Sequence, residues 1–274
     1  MSTHTHTSET IQLLTCAPPH LTPWIEQVWW SRGQLPTPRE RVLPSATADI
    51  VVNLGPPMLL IRDDRVDPIV GTTVTGLITR PITLQHPRIH EAIGARLKPL
   101  GVRAVLGVPG AIVRDAVVDL SELVAQRFDT LAQACHQHDT PQARLNAAVS
   151  WLSDQIAASD APPDPLVRWA VAQIMDARGK VSIRALQDAS GYSATWFNQR
   201  FRDELGVTPK QLARLARFRA ALDGLTPDVP LAQLALGLGY TDQAHMHRDF
   251  RLLANTSPMA LLAARYTSGL SVAI

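Results

Sequence analysis

The chain has 274 residues, which is long enough for two domains of ordinary size, each with its own core. Its formal net charge of +2 is unevenly divided, because residues 1–165 contain 13 Lys/Arg and 16 Asp/Glu whereas residues 166–274 contain 13 and 8. Two cysteines without a C-x-x-C pair argue against a disulfide framework, and no apolar run approaches the length of about 18 residues that a membrane span needs. We therefore expect a soluble, cytoplasmic protein with no membrane partner and a basic C-terminal part suited to a polyanion.

Residues 11–120 have the composition of a β domain. Short β-branched or aromatic runs, separated by Pro and Gly, predict strands at 27–30, 49–54, 58–61, 74–78, 82–84 and 92–97. The pattern indicates a small, mostly antiparallel domain, either a sandwich or a barrel, with a short helix at 101–106. The ten residues that open the chain, MSTHTHTSET, lack a hydrophobic pattern, and we expect them to be frayed.

A helical connector is predicted over residues 121–165. Apolar residues recur there at helical spacing in two sets, Leu123, Val124, Phe128 and Leu131, then Leu145, Val149, Leu152 and Ile156. The proline-rich stretch 159–165 is a linker by composition, so we place the domain boundary there.

Residues 166–274 predict an all-α domain that contains an internal repeat. Helices are indicated at about 166–178, 183–189, 194–204, 209–223, 231–236, 243–253 and 258–265. A helix, glycine turn and helix occur twice, at an offset of 48 residues before each turn and 49 after it. Such a repeat is typical of a tandem helix-turn-helix. The chain as a whole is thus predicted to be α+β, with a β domain, a helical connector and a C-terminal domain of two helix-turn-helix units.

The second helix of each unit has the pattern of a recognition helix. Phe197 and Phe201, and then Met246 and Phe250, are spaced to form a buried stripe. Ser193 and Asp242 stand at N-cap positions. Gly191 and Gly239 occupy the turns, where we expect a side chain to crowd the packed helices.

The opposite faces of these helices supply candidate contacts with DNA. Pointing away from the core on these faces are the base-reading candidates Thr195, Asn198, Gln199, Gln243, His245, His247 and Arg248. Among them, the amides of Asn and Gln pair with adenine, and the guanidinium of Arg pairs with guanine, in the major groove. Basic residues better placed for phosphates, which add affinity without sequence information, are Arg200, Arg202, Lys210, Arg214, Arg217 and Arg251. The two units differ in composition, so we expect an asymmetric operator.

The last hundred or so residues contain five further motifs, Ser190-Gly-Tyr-Ser193, Leu205-Gly-Val-Thr-Pro209, Leu238-Gly-Tyr240, Arg248-Asp-Phe250 and Ser257-Pro258. These motifs give this part of the chain a resemblance to the DNA-binding domain of the AraC/XylS-type family of bacterial transcription regulators. It implies that one long helix joins the two units and that each recognition helix enters one of two major-groove segments, roughly 34 Å apart. Asn255 stands where the family usually has glycine, and asparagine is the next best residue for a positive φ.

The same resemblance extends loosely to the N-terminal part, where it implies a sensor module of a poorly characterised subgroup. Trp29, Trp30 and Arg96 are the candidate residues of a small-molecule pocket, because aromatic walls and a cation suit such a site. Besides double-stranded DNA, we expect RNA polymerase as a partner, and a small-molecule effector and a homodimer contact are further expectations. No cofactor, metal site or catalytic residue is predicted.

Two alternatives remain open from the sequence. A DNA-recruited enzyme or repair protein would carry its chemistry in the N-terminal domain, with Cys16 as the reactive thiol. A regulator without an effector would differ from the leading hypothesis only in its β domain.

Overall fold

The computed structural model describes residues 3–7, 11–35, 37–62, 65–123, 129–264 and 271–273. The strands are β1 (Thr3–Thr7), β2 (Ile11–Cys16), β3 (Ile25–Gly33), β4 (Arg39–Val42), β5 (Ala48–Asn53), β6 (Met58–Arg62), β7 (Arg65–Ile69), β8 (Thr72–Thr75), β9 (Ile82–Gln85), β10 (His90–Leu97), β11 (Val117–Asp119) and β12 (Ser271–Ala273). The helices are α1 (Gly101–Leu106), α2 (Leu120–Leu123), α3 (Asp129–His136), α4 (Pro141–Ala157), α5 (Pro165–Asp176), α6 (Ile183–Ser190), α7 (Ala194–Leu205), α8 (Pro209–Gly224), α9 (Leu231–Gly237), α10 (Gln243–Ala254) and α11 (Pro258–Ala264). The fold is α+β, as predicted. Among the described residues, no helix combines the length and apolarity that crossing a membrane requires.

Two antiparallel sheets form the N-terminal domain. One has seven strands in the order β1-β2-β3-β10-β5-β8-β11, and the other has five in the order β12-β4-β9-β6-β7. The predicted strand at 74–78 is too long, because β8 ends at Thr75 and the N–H of Gly76 turns to the carbonyl of Val113 at 3.1 Å. The expectation of a frayed start was wrong for residues 3–7, which pair with β2 as β1.

The larger sheet has two different faces. Trp30, Ile93 and Val52 lie opposite one another in β3, β10 and β5, and so share one face. Trp29 lies opposite Gly94 on the other face. The first face packs against the helices, and the second turns toward the smaller sheet.

Helices α3 and α4 cover the first face. Buried residues of these helices join those of the sheet in one core cluster, with Trp30, Leu145 and Leu152 among its members. The connector predicted over 121–165 is therefore packed on the sheet. Within the first predicted helical set, Val124 and Phe128 lie outside the described residues.

The C-terminal domain contains the seven helices that were predicted, α5 to α11. The prediction that residues 166–274 are all helical was wrong for residues 271–273, which form β12 and pair with β4 of the smaller sheet. Its core is built on α8, whose buried residues include Leu212, Leu215 and Phe218. Thr208 starts α8 with a capping box, in which its side chain and that of Gln211 satisfy each other's backbone N–H groups.

The core of the helical domain continues into the β domain. The cluster that holds Phe197 and Phe218 also includes Leu43, Leu77 and Leu100 of the N-terminal domain. Burial of apolar surface therefore stabilises the contact between the two domains, as it stabilises the packing of the helices.

Candidate DNA-binding surface

Each of the two units begins its recognition helix with a side-chain cap. The Ser193 hydroxyl accepts a hydrogen bond from the N–H of Trp196 at the start of α7. In α10, the Asp242 carboxylate accepts one from the N–H of His245 at 2.6 Å. Both predicted N-caps are confirmed.

The turn glycines are required for a reason other than the predicted crowding. Gly191 and Gly239 have φ values of 72° and 77°, in the left-handed region. A Cβ added at Gly191 would have nothing within 4 Å, and the three atoms nearest to one added at Gly239 would belong to the flexible Lys180 side chain. Residues other than glycine rarely adopt this backbone conformation, which explains why both positions are glycine.

The predicted buried stripes are confirmed. Phe197, Phe201, Met246 and Phe250 are each 0% exposed. Phe250 packs edge-on against Phe218 of α8, with ring centroids 5.0 Å apart. Each recognition helix is thereby fixed to the domain core, and its opposite face stays at the surface.

The surface face of α7 carries the first set of base-reading candidates. Thr195 and Gln199 are exposed, and Asn198 is half-buried. The Asn198 amide nitrogen donates to the carbonyl of Ala194 at 2.8 Å, and that of Gln199 donates to Asp203 at 2.7 Å. Each amide keeps a second N–H and its carbonyl oxygen for pairing with a base.

The surface face of α10 carries the second set. Gln243 and Arg248 are exposed, whereas His245 and His247 are half-buried. His245 Nδ1 lies 3.4 Å from the Thr241 hydroxyl, and His247 Nε2 lies 3.4 Å from the Gln243 amide nitrogen. Arg248 is therefore the exposed cation at the middle of this face.

The predicted phosphate contacts fall into two groups. Arg202, Lys210 and Arg251 are exposed. The other three have partners within the domain, since Arg200 pairs with Asp164, Arg214 with Asp249, and Arg217 donates to the carbonyl of Gly179. The guanidinium of Arg217 also lies over the Tyr240 ring, 5.3 Å from its centroid.

The partner of Arg200 has a further structural role. Asp164 caps α5 by accepting hydrogen bonds from the N–H groups of Leu166 and Val167. Burial acts to raise the pKa of Asp164, but the hydrogen bonds from Arg200 and from Val167 outweigh it and lower this pKa. Asp164 is thus held ionised at the start of α5.

The two units carry inverted versions of one ion pair. Arg200 and Asp249 stand 49 residues apart, at equivalent positions of α7 and α10. In the first unit the recognition helix supplies the cation and Asp164 of α5 the anion. In the second it supplies the anion, and Arg214 of α8 the cation. The units are therefore different in electrostatics as well as in composition.

Sequence reasoning missed an aromatic pair beside the first recognition helix. Tyr192 and Trp196 are 51% and 40% exposed, and their rings stack with centroids 4.0 Å apart. The Arg200 guanidinium lies 5.5 Å from the centroid of Trp196. The sequence did offer a signal for this pair, because Tyr192 and Trp196 are aromatic residues four positions apart.

The three pocket candidates of the β domain do not share one face. Trp30 is 2% exposed on the face against the helices, and its indole N–H donates to Glu91. Trp29 and Arg96 lie on the face toward the smaller sheet. Arg96 is paired there with Asp49 at 3.2 Å, and burial raises the pKa of that carboxyl although Arg96 opposes the shift.

A cluster of polar groups surrounds His90, which is on the same face of the larger sheet as Trp29. His86 is bonded to Glu40 at 2.8 Å, His90 lies 3.2 Å from the Ser31 hydroxyl, and the two imidazole centroids are 5.5 Å apart. The buried indole nitrogen of Trp29 has no hydrogen-bond partner among the described residues. Burial, and then the neighbouring His86, lower the pKa of His90. In the described part of the chain, no three His, Cys, Asp or Glu side chains converge so as to hold a metal ion.

Cys16, which the enzyme alternative needs as its reactive thiol, is buried. Its side chain is 2% exposed, and burial raises its pKa to about 11. A protonated, inaccessible thiol is a poor nucleophile, so the geometry gives that alternative no support.

Comparison with known families agrees with the geometry of the helical units. Residues 186–264 match the family model described as a helix-turn-helix domain. The C-terminal domain is an AraC-type helix-turn-helix domain. It is the DNA-binding module of a transcription regulator. Residues 15–119, ahead of the AraC-type domain, match a domain of unknown function (DUF6597).

Solved structures of other proteins align with different shares of this chain. ToxT from Vibrio cholerae bound to (E)-4-(8-methylnaphthalen-1-yl)but-3-enoic acid aligns with a TM-score of 0.50 at 8% identity, over 93% of this chain and 98% of that one. ToxT bound to an unsaturated fatty acid gives 0.49 at 9%, over 94% and 96%. The xylose-binding transcription activator XylR gives 0.34 at 19%, over 44% and 38%. The first likeness shows that this chain and ToxT share a fold. No curated protein matches the sequence significantly.

Proposed function

We propose that the protein is a sequence-specific transcription regulator in which α7 and α10 enter successive major-groove segments on one side of the DNA. The observation that carries this proposal is the pair of capped helices, each with a fully buried apolar stripe and an exposed polar face. Because the two units are joined by the single helix α8, one chain presents both recognition helices.

Gln199 and Arg248 are the principal base-reading residues in this proposal. They are 49 residues apart, at equivalent positions opposite the buried stripes, and both are exposed. Gln199 suits adenine and Arg248 suits guanine. Thr195, Asn198, Gln243, His245 and His247 would flank these central contacts.

Exposed cations support the phosphate contacts. Arg202, Lys210 and Arg251 have the exposure that backbone binding needs. Arg200, Arg214 and Arg217 hold structural partners, and so would contact phosphates only by sharing or exchanging them.

A small-molecule effector bound between the two sheets of the β domain is the finer part of this proposal. The indole N–H of Trp29, which has no hydrogen-bond partner among the described residues, and His90 on the same face of the sheet would supply hydrogen bonds to such a ligand. Binding that favours one arrangement of the two domains would change the fraction of molecules competent for DNA. RNA polymerase and a second copy of the chain are further proposed partners.

The decisive experiment is selection of bound DNA from a random pool with wild-type protein and with the Gln199→Ala and Arg248→Ala variants. We expect the wild type to enrich one asymmetric sequence, and each variant to lose preference at a different position. Arg65→Ala, which removes an exposed charge on β7 of the β domain, serves as the control. Enrichment of no sequence by the wild type would contradict the proposed function, and unchanged preferences in both variants would contradict the assignment of these residues.

A further inference from the structure

A carboxylate at the end of the first recognition helix is bound by the other domain. Glu204 lies in the last turn of α7 and is 6% exposed. Arg103 of α1 holds it through two hydrogen bonds, from Nε to Oε1 at 3.0 Å and from Nη2 to Oε2 at 3.2 Å. Arg103 also donates from Nη1 to the carbonyl of Gly107 at 3.1 Å, which fixes the orientation of the guanidinium.

The stability of α7 itself does not explain a glutamate at this position. The C-terminal end of a helix carries partial negative charge, so a carboxylate there is unfavourable. Burial adds a desolvation cost unless the charge is paired. The equivalent residue of the second unit, 49 positions later, is the apolar Leu253, which is 2% exposed. The partner from the β domain is what makes Glu204 tolerable.

Close packing surrounds this ion pair. A Cβ added at Gly110 of the β domain would lie 3.3 Å from the carbonyl oxygen of Glu204. On the other side of the contact, a Cβ on Gly206 would lie 2.7 Å from the Cβ of Arg114. The end of α7 is thus seated directly on the β domain.

The second recognition helix is held differently. In the described residues, the polar contact of the α10 end with the β domain is a long hydrogen bond, 3.4 Å from Arg41 Nη1 to the carbonyl of Ala254. Helix α8, between the units, is tied by Arg219 to Glu26 at 3.2 Å. The ion pair at α7 is bidentate and partly buried, and a bidentate ion pair is the stronger kind of contact.

We propose that Arg103 is a positioning residue for DNA reading, which fixes α7 through Glu204 and so makes one half of the operator depend on the β domain more than the other. This inference rests on the proposed function. Gln199 reads a base only if α7 is placed accurately against the groove. Loss of the Arg103 guanidinium leaves a buried carboxylate unpaired, and the end of α7 must shift or admit water to solvate it.

The test compares Arg103→Ala, Glu204→Gln and the exchanged pair Arg103→Glu with Glu204→Arg. The matched control is Arg32→Ala, which removes another β-domain arginine, 61% exposed and 3.8 Å from Glu91. Gln199→Ala first identifies the half of the selected operator that α7 reads. Affinities are then measured for the operator and for single base-pair substitutions in each half, and thermal unfolding is recorded for every variant.

A base-pair substitution in a specific site weakens binding about 5- to 150-fold in wild-type protein. We expect Arg103→Ala to reduce this penalty to about threefold or less in the α7 half and to leave it unchanged in the α10 half. Glu204→Gln should act in the same direction with a smaller effect, and the exchanged pair should restore much of the discrimination. If Arg103→Ala unfolds at the assay temperature, Glu204→Gln, which preserves the side-chain volume, supplies the comparison.

Equal losses in both halves, or none in either, would overturn the positioning role of Arg103. A uniform loss would mean that the ion pair merely supports the fold. If the wild-type protein selects no sequence, the proposed function fails. If the wild-type protein selects a sequence and the variants discriminate between bases as well as the wild type, only this inference fails.

Discussion

Arg214 Nη2 lies 2.6 Å from Oδ1 of Asp249, so that this ion pair joins the helix between the units to the second recognition helix. The Asp249 side chain is 4% exposed and that of Arg214 is 40% exposed. An arginine that sequence reasoning assigned to phosphate is therefore also a structural contact of α10.

Asp249→Ala should destabilise the protein. The guanidinium left behind is partly exposed and can be hydrated, so we expect a loss of about 1–2 kcal/mol rather than the larger cost of a fully buried unpaired charge. Urea unfolding of the variant measures it. Asp203→Ala, at an exposed site of α7, is the control and should change stability by less than about 0.5 kcal/mol.

Alanine variants of Lys210 and Arg214 should differ in how their affinity for DNA depends on salt concentration. Lys210 is exposed at the start of α8, and its removal should lower the slope of log affinity against log salt by about 0.9, the value for one phosphate contact. Arg214→Ala should lower stability with a smaller change in slope, because its main partner is Asp249. Affinity titrations at four salt concentrations distinguish the two; equal slopes for both variants would mean that Arg214 binds phosphate as Lys210 does.

Two glycines with similar backbone angles should differ in their tolerance of alanine. Gly191 and Gly206 have φ values of 72° and 75°. Only open space surrounds Gly191, so alanine there should cost about 1 kcal/mol of backbone strain. At Gly206 the new Cβ would also meet Arg114, and we expect about 2–3 kcal/mol. Thermal unfolding of both variants compares them, and an equal cost would mean that Arg114 moves aside freely.

Asp164→Asn should lower stability in a pH-dependent manner. Asparagine keeps the N-cap of α5 but loses the charge that pairs with Arg200. The pKa of Asp164 is lower in the folded protein than the ordinary value of about 3.9. The stability that its charge contributes is therefore fully present at pH values above the ordinary pKa. It disappears as the pH falls through the pKa of the folded state.

The expected difference between wild type and Asp164→Asn is about 1 kcal/mol at neutral pH, since the Arg200 side chain is 44% exposed. Urea unfolding between about pH 7 and pH 3 should show this difference shrink toward the acid end. A difference that stays constant with pH would show that the ion pair adds no stability.

Much of the helical domain was predictable because its signals are local. The caps at Ser193 and Asp242, the apolar spacing of Phe197 with Phe201, and the prolines that start α8 and α11 each act within one or two turns of helix. The left-handed conformation of Asn255, with φ of 54°, was also predictable, since asparagine substitutes for glycine there.

The β domain was less predictable. Strands β4, β7 and β11 are short and lack a clear apolar alternation, so their pairing depends on neighbouring strands far along the chain. Strand β1 has no hydrophobic pattern, and its pairing with β2 supplies the hydrogen bonds. The two tryptophans were grouped from their adjacency, yet adjacent strand residues point to opposite faces, which is why Trp30 enters the core and Trp29 does not.

Local patterns were enough to predict the fold class, the two helix-turn-helix units and the polar faces of their recognition helices, because helix periodicity and capping depend on residues within a few positions of one another. The packing of distant segments decided which of the predicted cations are committed to Asp164, Asp249 and the carbonyl of Gly179. It also decided that Glu204 belongs with Arg103, a residue 101 positions away in the other domain. Such a pairing follows from how the domains pack, and no local pattern records it.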